Sequence, residues 1–138
     1  MIASVEWKDG SQYDGRSDSG HTIHFDAGPE HTSGPSPMEA VLAALCACTS
    51  VDVVSILQKK REPLTSLVVS AEAQQSPAPP RVFTYIRLIY RVGGTVSKKA
   101  IEDAVILSKT KYCSVSKILE KSAVIEFVIE YADGASGK

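Results

Sequence analysis

Residues 35–61 read PSPMEAVLAALCACTSVDVVSILQKKR, and the reading of this stretch decides the fold. Ser36 is suited to cap a helix and Pro37 to open one. The serine hydroxyl can accept a first-turn N–H, and the N–H that proline lacks would be unpaired there anyway. No further Pro or Gly occurs before Lys60. The helix expected from Pro37 to about Lys60 is roughly 36 Å long at ~1.5 Å per residue. Its first half, Val41 to Cys48, is apolar all round, so it should be buried on every side. Its second half, VDVVSILQKKR, turns amphipathic and ends in cations that suit the negative end of the helix dipole. One thin sheet cannot cover such a helix, which makes a second subunit a natural source of cover.

Outward from this helix the chain alternates between short strands and breaks. SVEW, then KDGSQYDGR, reads as strand, turn and strand. HTIHFDA alternates, with Ile23 and Phe25 on one side and His24 and Asp26 on the other. GPEHTSGPSP is a loop. After the helix, LTSLVVSAEAQ and RVFTYIRLIYRV read as strands joined by the proline-rich QSPAPP. In the second strand Val82, Thr84, Ile86, Leu88 and Tyr90 share one face; Phe83, Tyr85, Arg87, Ile89 and Arg91 share the other. Ser97 then caps a helix, KKAIEDAVILSKTKY, whose inner face is Ile101, Ala104, Val105 and Leu107 or Ser108. SVSKILEK is a second short helix, AVIEFVIEYA a last strand and DGASGK a frayed tail. The order βββ-α-ββ-α-α-β is an α+β pattern with a mostly antiparallel sheet.

With 138 residues and 43% apolar content, one domain over 1–138 is expected. A net charge of −1 gives no electrostatic case for nucleic acid or an anionic membrane. The longest apolar run, Ala40 to Cys48, falls short of the ~18 residues a spanning helix needs. MIASVEWKDG has no basic segment leading into an apolar one, so no signal peptide and a reducing cytoplasm are expected. There, the three cysteines read as free thiols. No Cys/His spacing suggests zinc, and His21, His24 and His31 read as surface or edge residues.

Cys48, midway along the buried helix, reads by itself as a small hydrophobe. Cys46 lies about 200° around the helix from it, so the two cannot form one site. Cys113 in KYCSVSK stands where one helix ends and another begins. A helix N-terminus and the nearby Lys109, Lys111 and Lys117 would favour its thiolate, although packing is an equally good account of a cysteine there.

Two stretches taken together, PSPMEAVLAALCACTSVDVVSILQKKR and LSKTKYCSVSKILEK, resemble the OsmC/Ohr family of osmotically inducible and organic hydroperoxide resistance proteins, and within it the YhfA-like bacterial branch. The resemblance extends over nearly the whole chain, including VEW, SGHTIHFDA, RVFTYIRLIYRV and VIEFVIEY. It implies an OsmC-like fold, with antiparallel sheets wrapped around long central helices in an intertwined homodimer. It implies that Cys48 is the peroxidatic cysteine and Cys113 the resolving one; Cys46 has no counterpart. The implied chemistry is a thiol peroxidase acting on organic hydroperoxides through a Cys48 sulfenic acid and a Cys48–Cys113 disulfide. Its reductant is an external dithiol, often a dihydrolipoyl group in the family, and it needs no resident metal, flavin or other cofactor.

One position departs from the family pattern. The family's Pro-Glu step would put a glutamate at 38, where this chain has Met38. Glu39 comes one residue late, about 100° around the helix. Arg16, expected in the turn after SQYDG, is the best candidate for the activating cation. Asp52, one turn after Cys48, would raise the thiol pKa unless paired. The alternative implied by Met38 is a non-catalytic OsmC-like protein that binds an apolar small molecule, or senses redox state, in the dimer cleft.

Overall fold

The computed structural model describes residues 1–132, so the expected tail DGASGK lies outside the described residues. The chain forms two compact units, Met1–Leu42 and Ala43 onward.

The first unit is an antiparallel meander of β1 (Ala3–Asp9), β2 (Gln12–Ser17) and β3 (Thr22–Asp26), in that order. Gly10, at φ 50°, makes the β1–β2 turn. A side chain at Gly15 would meet the Phe25 ring at 2.9 Å, so the absence of a Cβ lets β2 and β3 carry that ring between them. The alternation in β3 holds, but the buried member is Asp26, while Ile23 is 53% exposed. Asp26 anchors the following loop. It accepts from Ser11 Oγ at 2.9 Å, Gly28 N at 2.8 Å and Ser33 Oγ at 3.0 Å.

Helix α1 (Pro37–Lys59) begins and ends close to expectation. Ser36 Oγ accepts from Glu39 N at 3.1 Å, and Glu39 Oε1 accepts from Ser36 N at 2.9 Å, a reciprocal capping box. Burial is where α1 differs from its sequence reading. Only Leu45, Thr49, Val53 and Leu57 are buried, one stripe at i, i+4 spacing. Val41, Ala43, Ala44, Ala47 and Val51 are exposed in the chain on its own. The nine-residue apolar run also understates this helix, which is long and apolar enough to cross a membrane by length and composition. Its buried stripe instead forms part of the core, with Leu45, Val53 and Leu57 fully covered.

The second unit carries a sheet of order β4-β5-β6, made by β4 (Leu64–Gln75), β5 (Phe83–Gly94) and β6 (Val124–Tyr131). β4 and β5 are antiparallel, but β6 runs parallel to β5. The chain reaches β6 through a helical crossover: α2 (Lys98–Leu107), a five-residue π-turn (Ser108–Tyr112) and α3 (Ser114–Leu119). Such a connection returns the chain to the same end of the sheet and so makes a parallel pair. Ser97 caps α2 through Ala100 N at 3.3 Å. Of the two candidates for the inner face, Ser108 is buried and Leu107 is 37% exposed.

Ile86, Leu88, Tyr90 and Val92 form the buried face of β5. Phe83, expected on the opposite face, is buried too. The register slips between Gln74 and Gln75, so Gln75 faces Phe83 and Thr84 is the extra residue. A bulge of this kind exchanges the faces beyond it. Val82, expected within the strand, precedes it and is 42% exposed.

Candidate active site

Cys48 and Cys113 both belong to the second unit. Thr49, the residue after Cys48, lies in the buried stripe of α1. This places Cys48 at the edge of the stripe, half-buried, whereas Cys113 is fully buried. Cys113 is the N-cap of α3, and its sulfur accepts from Ser116 N at 3.4 Å. Burial pushes the Cys113 thiol above its ordinary pKa. Its bonds from Ser116 act the other way, and the neighbouring Cys48 side chain adds to the rise. The two thiols, far apart in sequence, are therefore side-chain neighbours.

The raised pKa corrects the sequence expectation that Cys113 would favour its thiolate. The short helix and the lysines do not overcome desolvation. Lys117 is engaged with Glu120 at 3.3 Å, and Lys111 lies 5.3 Å over the Tyr112 ring. Burial likewise raises the pKa of Cys46.

A polar chain that sequence reasoning missed runs beneath the pair. Thr49 Oγ1 lies 2.7 Å from Tyr90 Oη and 2.8 Å from Ser108 Oγ, and Ser108 Oγ donates to Asp52 Oδ2 at 2.8 Å. Thr49, Ser108 and Tyr90 are each at most 1% exposed. Asp52, suspected of disturbing Cys48, therefore has a partner of its own. Burial pushes the Tyr90 hydroxyl up to about 12; the Thr49 bond partly offsets this, and the charges of Cys113, Cys46 and Asp52 add to it. Ser108 left one legible signal, a small polar residue on the apolar face of α2.

The remaining expected residues sit in the first unit. Arg16 is within strand β2, facing Ser4 and Thr22, rather than in a turn. It is exposed, and its Nη1 donates to Thr22 Oγ1 at 3.3 Å. Glu39 is held by the capping box, which with help from His31 keeps its pKa below the ordinary value. The signal for this role, Ser-x-x-Glu at 36–39, is present in the sequence. His24 is half-buried between Asp14 Oδ1 and Gln12 Oε1, 2.6 Å from each. Among the described residues no three His, Cys, Asp or Glu side chains gather as a metal site.

A family profile described as OsmC-like protein matches residues 29–128. The chain belongs to the OsmC-like family. Protein YhfA of Escherichia coli K12 is 44% identical over 126 residues, which span 91% of this chain and 93% of the relative. Among solved structures, an OsmC-like protein from Mycoplasma pneumoniae superposes with a TM-score of 0.83 at 20% identity, covering 95% of this chain and 96% of that one. The organic hydroperoxide resistance protein OhrB of Bacillus subtilis superposes with a TM-score of 0.69 at 14% identity, covering 94% and 98%. At these identities the two structures speak for the OsmC-like fold alone.

Proposed function

We propose that this OsmC-like chain is a cysteine-based thiol peroxidase for organic hydroperoxides, acting in the cytoplasm as a homodimer built from a single domain over 1–138. The observation that carries the reading is the meeting of two otherwise free thiols, one half-buried and one fully buried. The Cys48 thiolate attacks one peroxide oxygen. A sulfur–oxygen bond forms, the O–O bond breaks, and the alkoxide leaves as an alcohol after taking up a proton. Cys113 then attacks the Cys48 sulfur. The S–S bond forms, the S–O bond breaks, and water departs with the thiol proton. An external dithiol, such as a dihydrolipoyl group, restores both thiols by exchange.

The exposed apolar residues of α1 support the homodimer. Arg16 and Glu39 are carried in the proposal only as residues that the assembled site could recruit. The test is turnover of cumene hydroperoxide with dihydrolipoamide. Cys48→Ser should abolish it, and full turnover in that variant would sink the reading.

The second reading, a non-catalytic binder or redox sensor, draws support from Glu39, which is already committed to the α1 cap, and from a groove of about 380 Å³ beside Asp52. Val51, Ile56, Leu107 and Tyr112 line its apolar part. A binder would hold an apolar ligand there with no turnover in the same assay.

A further inference from the structure

Ser108 occupies a singular place in the chain. Its N–H closes the last turns of α2, on Ala104 O and Val105 O. Its carbonyl accepts from Cys113 N at 2.7 Å, a bond five residues long. In a continuous α-helix that N–H would reach back four residues, to Lys109. The π-turn therefore inserts one residue, which changes the direction of Cys113 by about 100°. Its side chain meanwhile bonds Thr49, the residue that follows Cys48. A short path thus joins the backbones of the two thiols: Cys48, Thr49, Ser108, Cys113.

The protons along this path can be ordered in only one way. Ser108 donates its single hydroxyl proton to Asp52. Its oxygen must then accept from Thr49. Thr49 has no second proton, so it accepts from Tyr90. The resulting order is Tyr90 to Thr49 to Ser108 to Asp52. A tyrosine held in its neutral form, as Tyr90 is, can supply the first proton. With the donors aligned, Tyr90, Thr49 and Ser108 buried and Asp52 half-buried at the end, the chain has one arrangement and resists distortion.

We propose that Thr49 and Ser108 are positioning residues for disulfide closure. Together with Tyr90 and Asp52 they tie the π-turn to α1 and hold Cys113 within reach of Cys48. They do not touch the peroxide, so they act on the second step and leave the first alone. The proposal deepens the peroxidase reading and rests on it for the peroxide arm of its test, but the geometric claim concerns the thiol pair itself.

The test compares Thr49→Val, which keeps the shape and removes the hydroxyl, with Thr49→Ser, which restores it. Rapid-mixing mass spectrometry with cumene hydroperoxide and dimedone separates Cys48 oxidation from disulfide closure. In Thr49→Val, closure should slow by at least about tenfold, dimedone-labelled Cys48 should accumulate, and the first oxidation rate should stay unchanged. Thr49→Ser should return to wild-type behaviour. Equilibration with glutathione, without peroxide, should show the same loss of disulfide in Thr49→Val. If Thr49→Val does not fold, Ser108→Ala serves in its place. Wild-type closure rate and wild-type glutathione equilibrium in these variants would overturn the proposal and leave the peroxidase reading standing. No reaction of the wild type with peroxide, but a shifted glutathione equilibrium in the variant, would overturn the peroxidase reading and leave the positioning role standing.

Discussion

Replacing Tyr90 by Phe removes one oxygen from the middle of the second unit and nothing else. The ring keeps its edge-on packing against Phe127, with centroids 6.2 Å apart. Lost is the 2.7 Å bond to Thr49. A typical buried hydrogen bond contributes about 0.5–1.5 kcal/mol net, and an orphaned partner adds to the loss. Thr49 still donates to Ser108 in the variant, so only its acceptor side is left empty. The expected destabilisation is therefore about 1–2 kcal/mol, which for a chain of this size lowers Tm by roughly 3–8 °C. The assay is urea unfolding of the reduced protein at fixed protein concentration, since association would shift the midpoint. The midpoint should fall with an unchanged slope. Tyr85→Phe is the control. Its hydroxyl makes only an exposed 3.4 Å contact with Glu126, and its effect should stay within about 0.5 kcal/mol. A Tyr90→Phe protein as stable as wild type would refute the claim that the buried chain is a tightly coupled, fully satisfied unit.

Two further outcomes follow from titration. Because burial raises the Cys113 pKa, disulfide closure should speed up with rising pH and continue to do so beyond the ordinary thiol range of about 8.5; a plateau near neutrality, in a stopped-flow pH series, would contradict the burial argument. Asp26 is held far below the usual carboxylate range by its bonds from Gly28, Ser11 and Ser33. A depressed folded-state pKa stabilises the fold fully above the unfolded value of ~3.9, and that contribution is lost as pH falls from there toward the folded value. Wild type should therefore exceed Asp26→Asn in stability at neutral pH, with the gap narrowing below about pH 4; a pH-independent gap in thermal melts would count against it.

What was legible in the chain had local causes. Ser36-Pro37 marks the start of α1, and Lys59, Lys60 and Arg61 mark its end. Alternation marks β3 and most of β5. What was hidden depended on long-range geometry. Alternation reports faces and not direction, so β6 could not be known to run parallel to β5. The bulge at Thr84 has no residue signature, and it moved Phe83 inward. The π-turn is invisible because SKTKY is as compatible with an α-helix as with a wider one. The Cys113 environment is not legible locally: the helix dipole and the lysines are local, whereas the burial that outweighs them comes from the whole unit. Glu39 is explained by Ser36, three residues before it, through the capping box. Of the candidate site, Cys48 and Cys113 are singled out by resemblance alone, and the Thr49–Ser108 bridge between them requires the fold.

The most direct test of the central claim is non-reducing peptide mass spectrometry on reduced protein treated with stoichiometric cumene hydroperoxide. The account predicts rapid appearance of a single cross-linked species joining the Cys48 and Cys113 peptides, with Cys46 left free. Intact thiols after the peroxide has had time to react, or a disulfide that uses Cys46 instead, would contradict it.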